Sequence, residues 1–201
     1  METSTLRHPP DRRPLEGARS PDAVDVQRIG RIVARDLAAF EDLYRAYHPR
    51  LQRFLGRMTA RPGVIDEVIN DTMLLVWTRA KGYNRQSKVS TWIFAIAYRK
   101  TLKALRREGA SPADEPPEGA SAEVGPEQQA SARETRGELA RALAALSFDH
   151  RAVVSLTYFH GMGYREIAEI VECPVDTVKT RMFHARRRLR ALLSGELGDW
   201  L

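Results

Sequence analysis

A run of basic residues in the last third of the chain could bind a polyanion. The segment that follows Pro174 carries six cations and has no acid between Thr177 and Gly195. Because like charges without counter-charges repel one another, an anionic partner is expected, and a helix of this width fits the major groove of DNA. The six cations are Lys179, Arg181, Arg186, Arg187, Arg188 and Arg190.

Two helices joined by a turn are predicted to position these cations. The first ends near Pro174, because a residue that precedes proline resists the helical conformation. In the second, apolar residues recur at spacings of three and four, which predicts one buried stripe. The stripe comprises Val178, Met182, Ala185, Leu189 and Leu192. The pattern predicts a helix-turn-helix that reads DNA; a basic amphipathic helix on an acidic protein or a membrane surface is the alternative.

The face opposite the stripe carries polar side chains that could contact bases. Thr177, Thr180 and His184 lie there, between the cations. Phe183 also falls on this polar side, and it is expected to pack on a neighbouring helix rather than to contact a thymine methyl group.

A second set of candidates lies on two helices predicted over residues 64–80 and 90–107. On the first, Glu67, Asn70, Asp71 and Leu74 lie opposite an apolar stripe. An exposed leucine among carboxylates suggests a protein contact, and an ordinary solvated face is the alternative.

On the second of these helices, basic residues share a side with a tryptophan. Arg99, Lys103 and Arg106 recur at spacings of four and three, and Trp92 precedes them. Phosphates require cations and an unstacked base requires a flat apolar partner, so this side could bind single-stranded nucleic acid. Packing in the core is the alternative for Trp92. Ser90 and Thr91 are expected to cap the start of this helix.

Composition restricts the class of protein. The chain has 201 residues, of which 43% are hydrophobic and 29% charged, a net charge of +6 and a pI near 9.8, which favours anionic partners. Its one cysteine excludes a disulfide framework, and neither a zinc-type spacing nor another cofactor motif is found. No apolar stretch approaches membrane-spanning length, so a cytoplasmic protein without membrane insertion is expected. An enzyme is not expected, because the histidines are scattered and no glycine-rich phosphate loop is found.

The predicted fold class is all-α, with two small helical domains joined by a flexible acidic linker. The predicted boundaries are a disordered tail over residues 1–30, a first domain over 31–108, a linker over 109–131 and a helix-turn-helix domain over 132–201. Pro49 is expected to kink or divide the first helix of the first domain.

Two blocks of sequence carry a family resemblance. The block DEVINDTMLLVWTRAKGYNRQSKVSTWIFAIAYRKTLKALRR is followed by the acidic stretch and by GMGYREIAEIVECPVDTVKTRMFHARRRLR. Over about residues 36–195, this order resembles bacterial sigma factors of the extracytoplasmic-function type. The resemblance implies a transcription initiation factor that binds core RNA polymerase, recognises promoter DNA and helps to melt it. It also implies sequestration by an anti-sigma factor, and an acidic linker that threads a channel of the polymerase.

The resemblance assigns the candidate residues to three surfaces. Core polymerase would be bound by Asp66, Glu67, Asn70, Asp71 and Leu74. The minus-ten element would be bound by a base-capturing loop and the basic-aromatic helix, through Tyr83, Asn84, Arg85, Ser87, Lys88, Trp92, Arg99, Lys103 and Arg106. The minus-thirty-five element would be read by Thr177, Lys179, Thr180, Arg181, His184, Arg187 and Arg188.

Four positions depart from the family pattern. Arg99 stands where many relatives have asparagine, Asn70-Asp71 where they have Gln-Glu, and Glu172 where a turn glycine is common. Arg99 puts the inherited base-reading pattern in doubt and strengthens phosphate binding.

The alternative function is a stand-alone helix-turn-helix regulator, either a repressor or a response-regulator effector, whose N-terminal helices serve dimerisation. The predicted base-capturing loop and basic-aromatic helix argue against it, because dimerisation requires neither.

Overall fold

Helices account for the regular structure of the chain in the computed structural model, which describes residues 21–107 and 137–193. No strand occurs within these two ranges, and the predicted all-α class is confirmed. The predicted acidic linker at 109–131 lies outside the described residues.

The first described range contains four α-helices and a short 3₁₀ turn. They are α1 (Pro21–Val33), α2 (Leu37–Met58), α3 (Pro62–Arg79), the 3₁₀ turn (Ala80–Gly82) and α4 (Val89–Arg107). The second range begins with α5, described over residues 137–144. It continues with α6 (Phe148–Val154), a π-helical turn (Ser155–Phe159), α7 (Tyr164–Val171) and α8 (Val175–Leu192).

Helix α1 corrects the predicted disordered tail for residues 21–30. Ile29 and Ile32 are buried, and the Tyr47 hydroxyl of α2 donates a hydrogen bond of 2.6 Å to the Asp25 carboxylate. Burial of the Tyr47 side chain and the neighbouring Asp25 carboxylate raise the pKa of Tyr47. The sequence pattern did not indicate α1, because its short apolar face lies among many prolines and arginines. Residues 1–20 of the predicted tail lie outside the described residues.

Helix α2 runs through Pro49, so of the two expected effects the division is wrong and the kink stays a prediction. Pro49 lies on the exposed side of the helix. Water can there satisfy the carbonyl that loses its partner when proline removes an N–H group.

The turn between α7 and α8 depends on an unusual backbone conformation. Glu172 ends α7 with φ of 53° and ψ of 51°, the left-handed region in which glycine is favoured. Its neighbour Cys173 donates its backbone N–H to the Ala168 carbonyl at 3.1 Å, and Pro174 precedes α8. The predicted helix-turn-helix is therefore present, with a glutamate in the turn.

The two halves predicted as separate domains pack against each other in the described residues. Helix α7 lies against α4, and α6 lies against α2. At this junction the His160 ring contacts Phe54 and Phe94, with ring centroids 5.9 and 4.8 Å away. Arg151 is fully buried and donates to the Arg57 carbonyl of α2 at 3.4 Å. Charged and aromatic side chains of the second half therefore pack against α2 and α4 of the first.

Candidate nucleic-acid interface

Helix α8 buries the predicted apolar stripe. Val178, Met182, Ala185 and Leu189 are buried, whereas Leu192, at the end of the helix, is 37% exposed. The prediction is therefore wrong for Leu192 alone, which lies in the last turn of the helix. Burial of the stripe fixes which side of α8 faces outward.

The outward side of α8 presents most of the predicted minus-thirty-five residues to solvent. The exposed ones are Lys179, Thr180, His184, Arg187 and Arg188, and Thr177 is half-buried. The Thr180 hydroxyl donates to the backbone carbonyl of Asp176, which orients it along the helix. Cations and hydrogen-bonding groups thus share one face, as an interface with DNA requires.

The cations of α8 differ in whether they have partners, which corrects the expectation of a series without counter-charges. Arg181 is paired with Asp149 of α6, and Lys179 is paired with Asp176 at 2.9 Å. Arg186 donates to the Tyr158 hydroxyl at 2.9 Å. Arg187, Arg188 and Arg190 form no ion pair within residues 21–107 and 137–193. These three arginines are therefore free to meet phosphates.

Phe183 does not pack on a neighbouring helix as expected. Its side chain is 62% exposed, and its ring lies edge-on to His184 with centroids 5.4 Å apart. The expectation failed because the buried stripe turns away from position 183. His184 in turn lies 6.3 Å from the ring of His150, whose pKa is lowered by burial and by its electrostatic interaction with the neighbouring imidazole.

Helix α3 presents the predicted carboxylate face. Asp66, Glu67, Asn70 and Asp71 are exposed, and Leu74 is 59% exposed. The predicted apolar stripe lies opposite, with Val68, Ile69, Thr72 and Val76 buried and Ile65 half-buried.

Basic residues of α4 orient two of these carboxylates. Arg107 donates two hydrogen bonds to Glu67, at 3.0 and 2.9 Å, and Lys100 pairs with Asp71 at 2.6 Å. An exposed leucine is thus surrounded by oriented carboxylates, an arrangement suited to a partner with an apolar and basic surface.

The loop over residues 83–88 is held by its own side chains. The Tyr83 hydroxyl donates to the Ser87 carbonyl at 2.6 Å, and the Asn84 side chain accepts the Gln86 N–H at 3.1 Å. The Tyr83 ring lies 5.2 Å from that of Trp92, and burial together with the charge on Asp22 raises the Tyr83 pKa. Arg85 is exposed and has φ of 61°. The loop therefore has a defined shape with polar groups outward.

The start of α4 is not capped by Ser90 and Thr91 as expected. The Asp22 carboxylate of α1 accepts the Val89 N–H at 3.0 Å, and both expected residues lie inside the helix. Sequence reasoning missed Asp22 because it is 67 residues from Val89.

The predicted minus-ten residues on α4 fall into two groups. Lys103 and Arg106 are exposed and form no ion pair with any residue in the described ranges. Lys88 and Arg99 instead meet carboxylates of the other half, Glu166 at 3.0 Å and Glu172 at 2.7 Å. Trp92 is half-buried and packs against the core. Core packing, which was the alternative expected for Trp92, therefore accounts for part of its surface.

Asp149 is a residue of this interface that the sequence did not indicate. It pairs with Arg181 and accepts a hydrogen bond of 3.2 Å from the Tyr98 hydroxyl of α4. Burial and the charge on Asp149 raise the pKa of Tyr98. No local pattern could have revealed these contacts, because they join α4, α6 and α8.

Among the described residues, no group of three or more His, Cys, Asp or Glu side chains could hold a metal ion. The helices in the described ranges include none that is long and apolar enough to cross a membrane.

Two family models match the chain, each over one half. The model described as sigma-70 region 2 matches residues 43–111, and that described as sigma-70, region 4 matches residues 136–189.

Two known proteins are similar to this chain over most of its length and most of their own. The ECF RNA polymerase sigma factor RpoE of Cereibacter sphaeroides is 32% identical over 167 residues, which cover 80% of this chain and 89% of that protein. The ECF RNA polymerase sigma factor SigM of Mycobacterium tuberculosis is 33% identical over 171 residues, which cover 84% of each.

Two solved structures share the fold. The structure of CnrH in complex with the cytosolic domain of CnrY aligns with a TM-score of 0.64 and 21% identity, over 84% of this chain and 96% of that one. The sigma factor RpoE from Bartonella quintana, in complex with the anti-sigma factor NepR, aligns with a TM-score of 0.60 and 24% identity, over 78% of this chain and 98% of that one.

Proposed function

We propose that three surfaces of this chain, which belongs to the ECF RNA polymerase sigma factors of the sigma-70 family, divide the tasks of transcription initiation. As a member of that family, the chain is a transcription initiation factor that directs RNA polymerase to promoters. The proposal assigns the three tasks to α3, to α4 with its preceding loop, and to α8, and it includes no catalytic residue.

Helix α3 is the proposed contact with core polymerase. The residues that carry it are Asp66, Glu67, Asn70, Asp71 and Leu74, all exposed on one side. Its support is the exposed Leu74 among carboxylates that Lys100 and Arg107 orient. Loss of an apolar side chain at the centre of an interface weakens binding more than loss of a rim charge.

The loop over residues 83–88 and α4 are the proposed contact with the minus-ten element. Tyr83 and Trp92 provide adjacent aromatic rings, and Lys103 and Arg106 provide exposed cations for phosphates. Asn84, Arg85, Ser87, Lys88 and Arg99 complete this assignment. Unstacking a base costs a few kcal/mol, which stacking and phosphate contacts must offset.

The outward side of α8 is the proposed reader of the minus-thirty-five element. Exposed Lys179, Thr180, His184, Arg187 and Arg188 carry the assignment, together with half-buried Thr177. Arg181 belongs to this surface only once its pair with Asp149 has opened. Arginines without partners give affinity, and the threonine and histidine side chains give base contacts.

The remaining parts of the proposal concern organisation and location. The halves act as separate domains, residues 31–108 and 132–201, when polymerase holds them at the separation of the two promoter elements. The factor acts in the cytoplasm, where an anti-sigma factor sequesters it. The Bartonella quintana sigma factor that shares its fold is in complex with the anti-sigma factor NepR, which supports this part of the proposal. The linker at 109–131 threads a channel of the polymerase. Its acidic side chains there carry negative charge, as RNA does.

Run-off transcription tests the proposal directly. The full chain added to bacterial core polymerase should produce transcripts from a promoter of its own genome, and core polymerase alone should not. The observation that carries this expectation is the occurrence of both sigma-70 regions in one chain. Tight binding of duplex promoter DNA by the chain alone, without transcription when polymerase is added, would favour the stand-alone regulator.

Leu74→Ala tests the polymerase surface, and the quantity to measure is the affinity for core polymerase. It should weaken the binding of core polymerase by about tenfold, because an exposed side chain at the centre of an interface loses about 1 to 2 kcal/mol of contact on truncation. Leu192→Ala, which truncates an exposed leucine of the other half, is the matched control and should leave the affinity unchanged. Equal affinities for all three proteins would remove α3 from the proposal.

A further inference from the structure

Acids of the helix-turn-helix half meet the basic side of α4. Lys88 Nζ lies 3.0 Å from Glu166 Oε1, and Arg99 Nη1 lies 2.7 Å from Glu172 Oε1. The Thr91 hydroxyl also donates to Glu166 Oε1, at 3.4 Å. Each of these two cations, which we propose to bind promoter phosphates, is therefore paired with a carboxylate.

Glu172 is notable because its backbone conformation favours a different residue. With φ of 53° it lies in the left-handed region, which a side chain makes unfavourable and glycine does not. Its carboxylate accepts a hydrogen bond of 2.7 Å from the Arg99 guanidinium of α4. A side chain held in a conformation that favours glycine therefore supplies an ion pair between the two halves.

Glu166 has an additional structural role. Its Oε2 accepts the Gly163 N–H at 2.9 Å and so caps α7, while Oε1 faces Lys88 and Thr91. Because substitution of Glu166 would also weaken α7, Glu172 is the residue on which the interdomain contact can be tested alone.

We propose that the acidic side of α7, formed by Glu166 and Glu172, is an intramolecular binding surface for the basic side of α4 and competes there with promoter DNA. This inference rests on the proposed minus-ten function of α4. In the closed chain the carboxylates take the place of phosphates at Lys88 and Arg99. Polymerase and DNA together displace them, and α4 becomes available when the halves separate.

The strength of the contact suits a competitor that can be displaced. Both partners of the Arg99–Glu172 pair are about half exposed, at 47% and 61%, so solvent screens their attraction. An exposed ion pair shifts an equilibrium by about twofold to fivefold. Several phosphate contacts made at once exceed that shift, because each contact also releases a counterion from the DNA.

Binding of single-stranded DNA by the full chain tests the competition. The probe is a fluorescein-labelled 12-nucleotide oligothymidylate at low salt, followed by fluorescence anisotropy. Glu172→Gln should tighten binding by about twofold to fivefold, because it frees Arg99. Glu169→Gln is the matched control: Glu169 is exposed on the same helix, forms no ion pair in the described ranges, and its loss changes the net charge equally. Equal tightening by both variants, or none by either, would overturn the proposal.

A charge exchange tests the closed arrangement without DNA. Glu172→Arg places two cations opposite each other and should increase the radius of gyration measured by small-angle X-ray scattering. Adding Arg99→Glu restores an ion pair of reversed polarity and should bring the radius back to that of the wild type. A radius that is the same in all three proteins refutes the intramolecular contact. Run-off transcription by the wild type is unaffected by that result, so failure of this inference is distinguishable from failure of the proposed function.

Discussion

The two proposed promoter-binding surfaces differ in what covers them. Lys88, which directly precedes α4, and Arg99 of α4 meet Glu166 of α7 and Glu172 at its end. On α8, Arg187 and Arg188 are exposed and form no ion pair with any described residue. Both helices are rich in cations in the sequence, yet Lys88 and Arg99 can meet a phosphate only after a rearrangement, whereas Arg187 and Arg188 need none. The availability of a cation is therefore set by tertiary packing rather than by the pattern of its own helix.

This difference indicates an order of events on DNA. The open surface of α8 can make contact first, since it needs no domain movement, and phosphate contacts act at long range. The covered part of the α4 surface, Lys88 and Arg99, becomes available only after α7 has moved away, whereas Lys103 and Arg106 are already exposed. Duplex recognition would thus precede contact with an unstacked base, which agrees with the need to locate a promoter before melting it.

Phe54→Ala gives the largest expected effect and tests what holds the cover in place. Phe54 is fully buried between Phe94 and His160, so its side chain supports both α4 and the junction of the two halves. Truncation of a buried phenylalanine costs about 3 to 5 kcal/mol. Chemical denaturation followed by circular dichroism should show a loss of this size.

Phe183→Ala is the matched control from the open surface. Its ring is 62% exposed, so its removal should change the free energy of unfolding by less than about 0.5 kcal/mol. If Phe54→Ala were equally mild, the packing of His160 on Phe54 and Phe94 would not be what holds the halves together.

The helices themselves were largely predictable from the sequence. Spacings of three and four gave α8 its buried stripe and α3 its two faces, because a helix must bury one side whatever surrounds it. Helix α1 was missed, since its apolar residues are few and its place depends on Asp25 reaching Tyr47. The sequence could not show that contact, because it joins residues of different helices.

The candidate site was predictable in composition and not in pairing. The sequence placed Arg181 among free cations, whereas in the structure Asp149 holds it from another helix. The same limit applies to Glu172, which reads as an unusual turn residue until the structure brings Arg99 to it. Local patterns determine which side chains share a face, and tertiary packing determines which of them remain available.

Acid should loosen the covered surface more than the open one, through His160. Its ring is packed among aromatic rings, its Nε2 is buried with no hydrogen bond in the described residues, and burial together with Arg50, Arg57 and Arg53 lowers its pKa to about 4. Between pH 6.5 and 4 the unfolded chain takes up a proton at this residue and the folded chain does not. Stability from this group is therefore present above pH 6.5 and is lost as the pH falls through that window. Between pH 7 and 5 the loss should be about 1 to 2 kcal/mol.

His160→Phe isolates this contribution, because it keeps an aromatic ring at the junction and removes the titration. Denaturation measured at pH 7 and at pH 5 should show a smaller loss in the variant than in the wild type. Part of the acid sensitivity should remain in both proteins, since the pKa of His150 is also lowered. Identical losses would mean that protonation of His160 does not act on the junction.

The smallest expected effect concerns how each helix proposed to bind DNA begins. Helix α8 has an acid, Asp176, in its own first turn, whereas the first N–H of α4 is satisfied by Asp22 of α1. Asp22→Ala should therefore expose the start of α4 without changing α8. Loss of a side-chain partner for a helical N–H group costs about 0.5 to 2 kcal/mol.

Hydrogen–deuterium exchange measures this effect at the residues concerned. A cost of about 1 kcal/mol corresponds to roughly fivefold faster exchange of the amide of Val89 in Asp22→Ala. Asp42→Ala, which removes an exposed acid from α2, changes the net charge equally and should leave that amide unchanged. The amides in the first turn of α8 should exchange at wild-type rates in both variants. Faster exchange there as well would mean that α1 stabilises the whole junction rather than the start of α4. Lys88 and Arg99 would then depend on α1 to keep their contacts with Glu166 and Glu172, and not only to order the loop over residues 83–88.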